Sequence, residues 1–323
     1  AGEGVGRFGG ESSVFGASFN FTNSIVGAGI IGLPYAVQQC GLVLGVLLLL
    51  LVAVLVNRSV VMLIESGLKV GRFDLEDLAE SLMGKTGYYC ALLYMFLFAF
   101  GAQVGYLVII GDSVPRVFAL FYPESFLADR ALCLLFFGVV VLLLSLCRQI
   151  ETLSWTSLVS IVADVVIILI VLSTCTAAGR QQEDHFQVAD VRQVQASVFA
   201  GVGTMSFAFV CQHNSFIVFR SLRTPTLANW ASVTNHSVSF AFSVSLLFAL
   251  VGFFAFYPQV QGDVLNNYPV RDVAAAVARL LLALSMVLTY PLECFVTRHC
   301  LTAFVTKICH REGDLQEQGE QQI

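Results

Sequence analysis

The chain has 323 residues, is 57% hydrophobic and only 12% charged, and has a mean hydropathy of +0.81. Soluble domains carry about 25% charged residues, so this composition excludes a soluble enzyme and fits a chain that crosses a membrane repeatedly. The net charge of −5 and the lack of a long basic run exclude a nucleic-acid binder.

A helical span takes about 20 apolar residues. In chain order, residues 1–12 are Gly-rich and polar and read as a disordered arm. Eight candidate spans follow, at 14–38, 42–65, 88–111, 131–147, 153–178, 196–219, 235–257 and 273–296. A charged loop at 69–85 holds a short amphipathic helix, LEDLAESL, and 179–195 is a polar loop. The tail 297–323 starts amphipathic and ends polar. The transmembrane domain is therefore 13–296. Ten lysines and arginines fall on the side of the N-terminus against five on the other, which predicts cytosolic N- and C-termini. The nine cysteines are scattered without a CxxC pair and read as small buried apolar residues.

Two spans are interrupted. The first contains Gly27, Ala28 and Gly29, and glycine is about 1 kcal/mol worse than alanine in a helix. The sixth is cut by Cys211, Gln212, His213, Asn214 and Ser215, which a lipid-facing helix would not hold. An unpaired backbone group in hydrocarbon costs several kcal/mol, so a break needs protein or a bound solute to satisfy it. Broken helices at matching positions of two half-repeats mark a transporter site. Spans one and six match if the repeat is five spans long, and an odd number makes the repeats run in opposite directions. The first repeat is then 14–178 and the second, incomplete, 196–296.

The half-helix after Gly29 offers free N–H groups and the positive end of a dipole, a seat for a carboxylate. Free carbonyls ahead of the break, that of Val26 among them, together with Asn23 suit a small hard cation. Ser285 and Thr289, spaced i, i+4 in the eighth span, put two hydroxyls on one helical face. They either complete that cation site or bond the preceding carbonyls. His213 reads as a proton or substrate contact, or as a brace of the break. Asp164 and Glu293 are costly inside a span and therefore candidates for function. An internal ion pair of Asp164 with Arg279, or with Arg58, is expected. The GxxxG pairs Gly41/Gly45 and Gly101/Gly105 predict close helix packing. The run GAGIIG matches GxGxxG, but no strand precedes it and no acidic residue follows, so a dinucleotide site is rejected. Neither HExxH nor GxSxG occurs, and no enzyme and no cofactor are expected.

The stretches FNFTNSIVGAGIIGLPYA, GTMSFAFVCQHNSFIVF and VLTYPLECFVTRH resemble the sodium-coupled neutral amino acid transporters, solute carrier family 38, of the amino acid/auxin permease group. The likeness runs from about residue 12 to 305. It implies an all-α, inverted-repeat fold like that of bacterial leucine transporters, with eleven spans, of which eight are counted here; either a form truncated after eight spans or a divergent member is expected. It also implies Na⁺-driven movement of small neutral amino acids, glutamine-like or alanine-like, across a plasma or endolysosomal membrane. Family sodium ligands carry over to Asn23 and Thr289. Substrate contacts carry over to Gly27, Ala28 and Gly29 and to Phe209, Gln212, His213 and Asn214. Two other readings stay open: proton coupling through His213 or Asp164, and a sensor that binds an amino acid without moving it.

Overall fold

The computed structural model describes residues 10–146, 153–178, 197–269 and 271–320, and these are helical apart from turns and one isolated bridge. The expected loop at 179–195 and residues 1–9 of the expected arm lie outside the described residues. Helix α1, Val14–Ile25, is capped by the Ser13 hydroxyl, which accepts from Gly16 N. A 3₁₀ turn, Ala28–Gly32, leads into α2, Leu33–Cys40, whose Pro34 sits in the first turn where no intrahelical N–H is needed. Gly41, at φ +79°, turns the chain into α3, Leu42–Val70. Helix α4, Leu75–Phe121, is bent at Gly84, whose φ of +71° and ψ of −164° are not helical. That glycine separates the expected amphipathic segment from the expected span.

Helices α5, Arg130–Leu146, and α6, Leu153–Ala178, complete the first half. The second half holds α7, Val198–Ala208, α8, Ser215–Ser221, α9, Leu227–Phe256, and α10, Val273–Glu320. Helix α10 does not stop at 296, where the apolar pattern ends. The amphipathic start of the tail simply continues its winding.

Among the described residues, five helices are long and apolar enough to cross a membrane, and a sixth if the bent pair around Gly27 is one span. Arg130–Leu146 and Val159–Ser173 are shorter apolar helices. Burial confirms the solvent. Leu47, Leu51 and Leu55 form an i, i+4 stripe on α3 that is 57, 51 and 58% exposed. The opposite face, with Leu49, Val56, Val60 and Ile64, is buried. An exposed stripe this apolar belongs against lipid rather than water.

Helix α10 lies along α4 and α6, α1 against α9, and α2 against both α7 and α9. Trp230 of α9 is wholly buried, donates from Nε1 to Val60 O at 3.0 Å, and touches the rings of Phe21 and Phe219. It thereby ties α1, α3, α8 and α9 together.

Two expectations change and one holds. Residues 10–12, assigned to the arm by composition, form a parallel bridge: Ser12 N donates to Ser221 O at 2.9 Å and Arg223 N to Ser12 O at 3.0 Å. Gly45 does mark close packing, because a Cβ there would lie 3.1 Å from Val37 Cα. Gly101 and Gly105 do not, since a Cβ on either would meet nothing within 4 Å.

Candidate functional site

Both expected interruptions are present. Helix α1 closes with Val26 N on Thr22 O at 2.7 Å. Gly27 is then fully extended at φ −155° and ψ −153°, and the chain rewinds with Ile30 N on Gly27 O at 3.1 Å. The two segments of this span meet at 50°. Helix α7 ends at Ala208, residues 209–211 are unwound, and a 3₁₀ turn, Gln212–Asn214, starts the chain again into α8. Ser215 Oγ donates to the freed Cys211 carbonyl at 3.2 Å.

The two breaks face each other. A Cβ on Gly29 would fall 2.5 Å from Ala208 Cα, so only glycine lets the two backbones approach this closely. Asn214 Nδ2 donates to Ser24 Oγ at 3.4 Å. His213 and Asn214 are buried beside this contact, and Phe209 is wholly enclosed in the core. Gln212 faces away. Its Nε2 donates to Ser59 Oγ of α3 at 3.1 Å and its Oε1 accepts from Cys211 N, so it braces the break.

The residues expected to hold a cation are all buried. Asn23 Oδ1 has no hydrogen-bond partner, and Val26 is 3% exposed. Ser285 and Thr289 meet Ser160 of α6, with Oγ–Oγ at 2.6 Å and Oγ–Oγ1 at 3.3 Å. The hydroxyl protons can be assigned. Thr289 gives its own to Ser285 O at 2.8 Å, and Ser285 gives its own to Asp164 Oδ1 at 3.1 Å. Ser160 therefore donates to Ser285, because each hydroxyl has one proton to give. Asp164 Oδ2 remains buried and unpartnered. A small cavity of about 10 Å³, room for about one water-sized sphere, separates Asp164 from Gly27, Ile30 and Ile31. Asn23 makes no hydrogen bond to Ser285 or Thr289 among the described residues. The donors here are hydroxyl, amide and carboxylate oxygens, which suit a hard cation.

The expected Asp164–Arg279 ion pair is not formed. Arg279 Nη2 donates to the carbonyls of Leu265 and Tyr268 at 2.9 and 3.1 Å and fastens the loop between α9 and α10. Asp164 lies instead at the level of Ser285, six residues further along α10. That is about 9 Å of rise and a different face of the helix. Arg58, the other expected partner, is exposed.

Sequence reading missed Ser160, which carries no signal beyond being a serine in a span. It also named His213 and Glu293 separately without pairing them. His213 Nε2 lies 3.3 Å from Glu293 Oε1, and both side chains are buried. Pro291, two residues before Glu293, withholds the N–H that would reach Val287 and loosens α10 there. His213, but not Glu293, lines a cleft of about 630 Å³. At its rim Arg220 pairs with Asp74 at 2.7 Å and His299 with Glu76 at 2.6 Å.

Residues 10–322 match the family described as transmembrane amino acid transporter protein. The chain is 38% identical over 301 residues to "Putative sodium-coupled neutral amino acid transporter 11" of Danio rerio, covering 91% of this chain and 66% of that protein. It is 37% identical over 306 residues to the protein of the same name from Bos taurus, covering 91% and 65%. It is 30% identical over 294 residues to "Vacuolar amino acid transporter 2" of Saccharomyces cerevisiae, covering 89% and 61%. The chain thus spans about two thirds of the length of the curated relatives it matches. With two unwound helices in contact inside an apolar helical bundle, and with this match over nearly its whole length, the chain belongs to the transmembrane amino acid transporter family.

Proposed function

We propose that this chain moves small neutral amino acids, glutamine-like or alanine-like, across a membrane together with Na⁺, using the contact between its two broken helices as the binding site. The observation that carries this reading is that contact: Gly29 against Ala208, and Asn214 Nδ2 3.4 Å from Ser24 Oγ. The substrate carboxylate would sit on the free N–H groups of Gly27, Ala28 and Gly29, at the positive end of the rewound helix. The carbonyls of Phe209 and Val210 would take the ammonium group. Na⁺ would use Asn23 Oδ1, the Val26 carbonyl and the Ser285 and Thr289 hydroxyls. The spare oxygen of Asp164 supplies the negative charge that such a cation requires. The names of the relatives, sodium-coupled for those of Danio rerio and Bos taurus, support the ion and the neutral substrate.

In this reading the two shorter apolar helices also cross the bilayer, giving eight spans, two inverted repeats and cytosolic termini. The test is uptake into proteoliposomes with Na⁺ replaced by choline at fixed pH. Uptake that collapses without Na⁺ supports the reading. Uptake that persists undiminished removes Na⁺ from it, and vesicles that accumulate no amino acid in either buffer refute transport by this chain.

A further inference from the structure

Four carboxylates, Asp74, Glu76, Asp77 and Glu80, crowd the start of α4 ahead of the Gly84 bend. Three of them are matched by a cation. Asp74 pairs with Arg220 at 2.7 Å, Glu76 with His299 at 2.6 Å, and Glu80 with Lys307 at 2.7 Å. Asp77 makes no ion pair among the described residues. This part of α4 lies outside the apolar stretch. Burial, with the charges of Glu76 and Asp74, raises the Asp77 carboxyl above its ordinary value, so a negative charge is unwelcome where it stands.

An unmatched cation faces it. Arg72 follows Gly71, whose φ of +75° ends α3, and its N–H is fixed on Gly67 O at 3.1 Å. Its guanidinium makes no ion pair among the described residues either. Arg72 and Asp77 nevertheless line one cavity of about 270 Å³, with Glu80, Ser81 and Lys307. Their charges feel each other across it, yet the two side chains stay beyond ion-pair distance. Lys307 strengthens the positive side. An ammonium has three protons, and two of them go to Glu80 Oε1 and Oε2 at 2.9 and 2.7 Å.

A ligand of one sign suits this cavity poorly. A bare anion would meet Asp77 and Glu80, and a bare cation would meet Arg72 and Lys307. A ligand that carries both signs satisfies both free ends. The surroundings say where such a ligand comes from. Leu82 and Met83, next to Ser81, are 63 and 73% exposed, and Val70, at the end of α3, is also exposed. Exposed apolar residues beside a charged cavity place it at the boundary of the bilayer, where lipids present their headgroups.

We propose that this cavity binds the headgroup of a zwitterionic phospholipid with a primary amine, its phosphate on Arg72 and its ammonium on Asp77. Phosphatidylethanolamine has this chemistry. Phosphatidylcholine offers the same phosphate, but its quaternary ammonium has no N–H to give to Asp77. Phosphatidylglycerol offers the phosphate with no cation at all. The bound headgroup joins the end of α3 to the start of α4 and, through Lys307, to α10.

The test is native mass spectrometry of the purified full chain, stripped of lipid in detergent and incubated with equal amounts of phosphatidylethanolamine and phosphatidylcholine. The wild type should retain phosphatidylethanolamine over phosphatidylcholine by about three- to tenfold, the range of one partly exposed charge-assisted bond. Asp77→Asn should bring that ratio to within about twofold of unity, whereas Arg72→Gln should lower retention of both lipids by about three- to tenfold. Thermal unfolding separates the ligand from the fold. Asp77→Asn removes a charge that Glu76 and Asp74 repel, so in phosphatidylcholine it should melt no lower than the wild type. It should not gain when phosphatidylethanolamine is supplied instead, while the wild type should. Equal retention of the two lipids by the wild type, or an unchanged ratio in Asp77→Asn, overturns the proposal. So does an Asp77→Asn chain destabilised equally in both lipids. Preference for phosphatidylglycerol would mean a site for anions alone and overturns it as well. An equal stabilisation by soluble phosphoethanolamine in lipid-free detergent overturns the lipid as the source.

Discussion

Gly29 and Gly27 stand two residues apart in the same break, yet the structure assigns them different costs. A Cβ on Gly29 would lie 2.5 Å from Ala208 Cα and 2.7 Å from Ala208 Cβ. Neither atom is the end of a flexible side chain, so one of the two broken helices must move. Forcing a methyl group into such a contact costs about 1–3 kcal/mol. Alanine also restricts the unfolded chain, which returns about 0.4–1 kcal/mol, so the net loss for Gly29→Ala is about 0–2.6 kcal/mol. At Gly27 a Cβ would meet nothing within 4 Å, and a φ of −155° suits any residue. Gly27→Ala should therefore be neutral or stabilising by up to about 1 kcal/mol. The assay is thermal unfolding of both variants in one detergent, followed by monodispersity after heating, with amino acid uptake measured for Gly29→Ala. Loss of stability at 29 but not at 27, with uptake reduced at 29, is the expected result. Equal melting of the two variants would refute the claim that backbone approach, rather than helix propensity, selects glycine in this break.

Asn23→Ala and Thr289→Ala should each raise the Na⁺ concentration needed for half-maximal uptake, and Asp164→Asn should raise it further because it removes the carboxylate that cluster has among the described residues; Na⁺ titration of uptake checks all three, and unchanged requirements would remove the cation site. Arg279→Met should cost about 1.5–3 kcal/mol through its lost bonds to the Leu265 and Tyr268 carbonyls. Its effect should add to that of Asp164→Asn within about 0.5 kcal/mol, and a larger coupling in the double-mutant cycle would restore the ion pair. Glu76 precedes the Gly84 bend, outside the apolar stretch. Burial alone would raise its carboxyl, but the hydrogen bond and charge of His299, with the charge of Arg220, hold it below the usual 4.5. A lowered carboxyl stabilises the fold above its unfolded value and loses that contribution as pH falls through the folded one. Because His299 is 44% exposed, the contribution is about 0.2–1 kcal/mol. Melting temperature should therefore fall less in His299→Gln than in the wild type as pH drops below about 4.5.

The breaks were legible because they violate a rule. Glycines and polar residues inside apolar runs have no other reason to be there, and both predicted interruptions occur at the predicted residues. The partners were less legible, because a sequence gives spacing along one helix but not depth between helices. Asp164 and Arg279 looked like natural partners as opposite charges in apolar segments. The six-position separation of Arg279 and Ser285 sets the arginine near the loop and the aspartate beside the hydroxyls. Helix ends were misread for a related reason. Apolar pattern reports where lipid stops, whereas α10 continues into its polar residues because nothing there breaks helical winding. Ser160 was invisible, since one hydroxyl in a span signals nothing until its neighbours across the interface are known.

The short bridge between residues 10–12 and the end of α8 makes a tether from the chain's entry into its first helix to the outer end of the second broken one. Its three main-chain bonds, joined by Arg223 Nε on the Glu11 carbonyl at 2.7 Å, ask almost nothing of side-chain identity. Substitution can wander freely at positions 11 and 12, but not at Gly10, where any Cβ would land 2.1 Å from Ser221 O. The entry of the first broken helix and the far end of the second are thereby fastened to one another through main-chain hydrogen bonds.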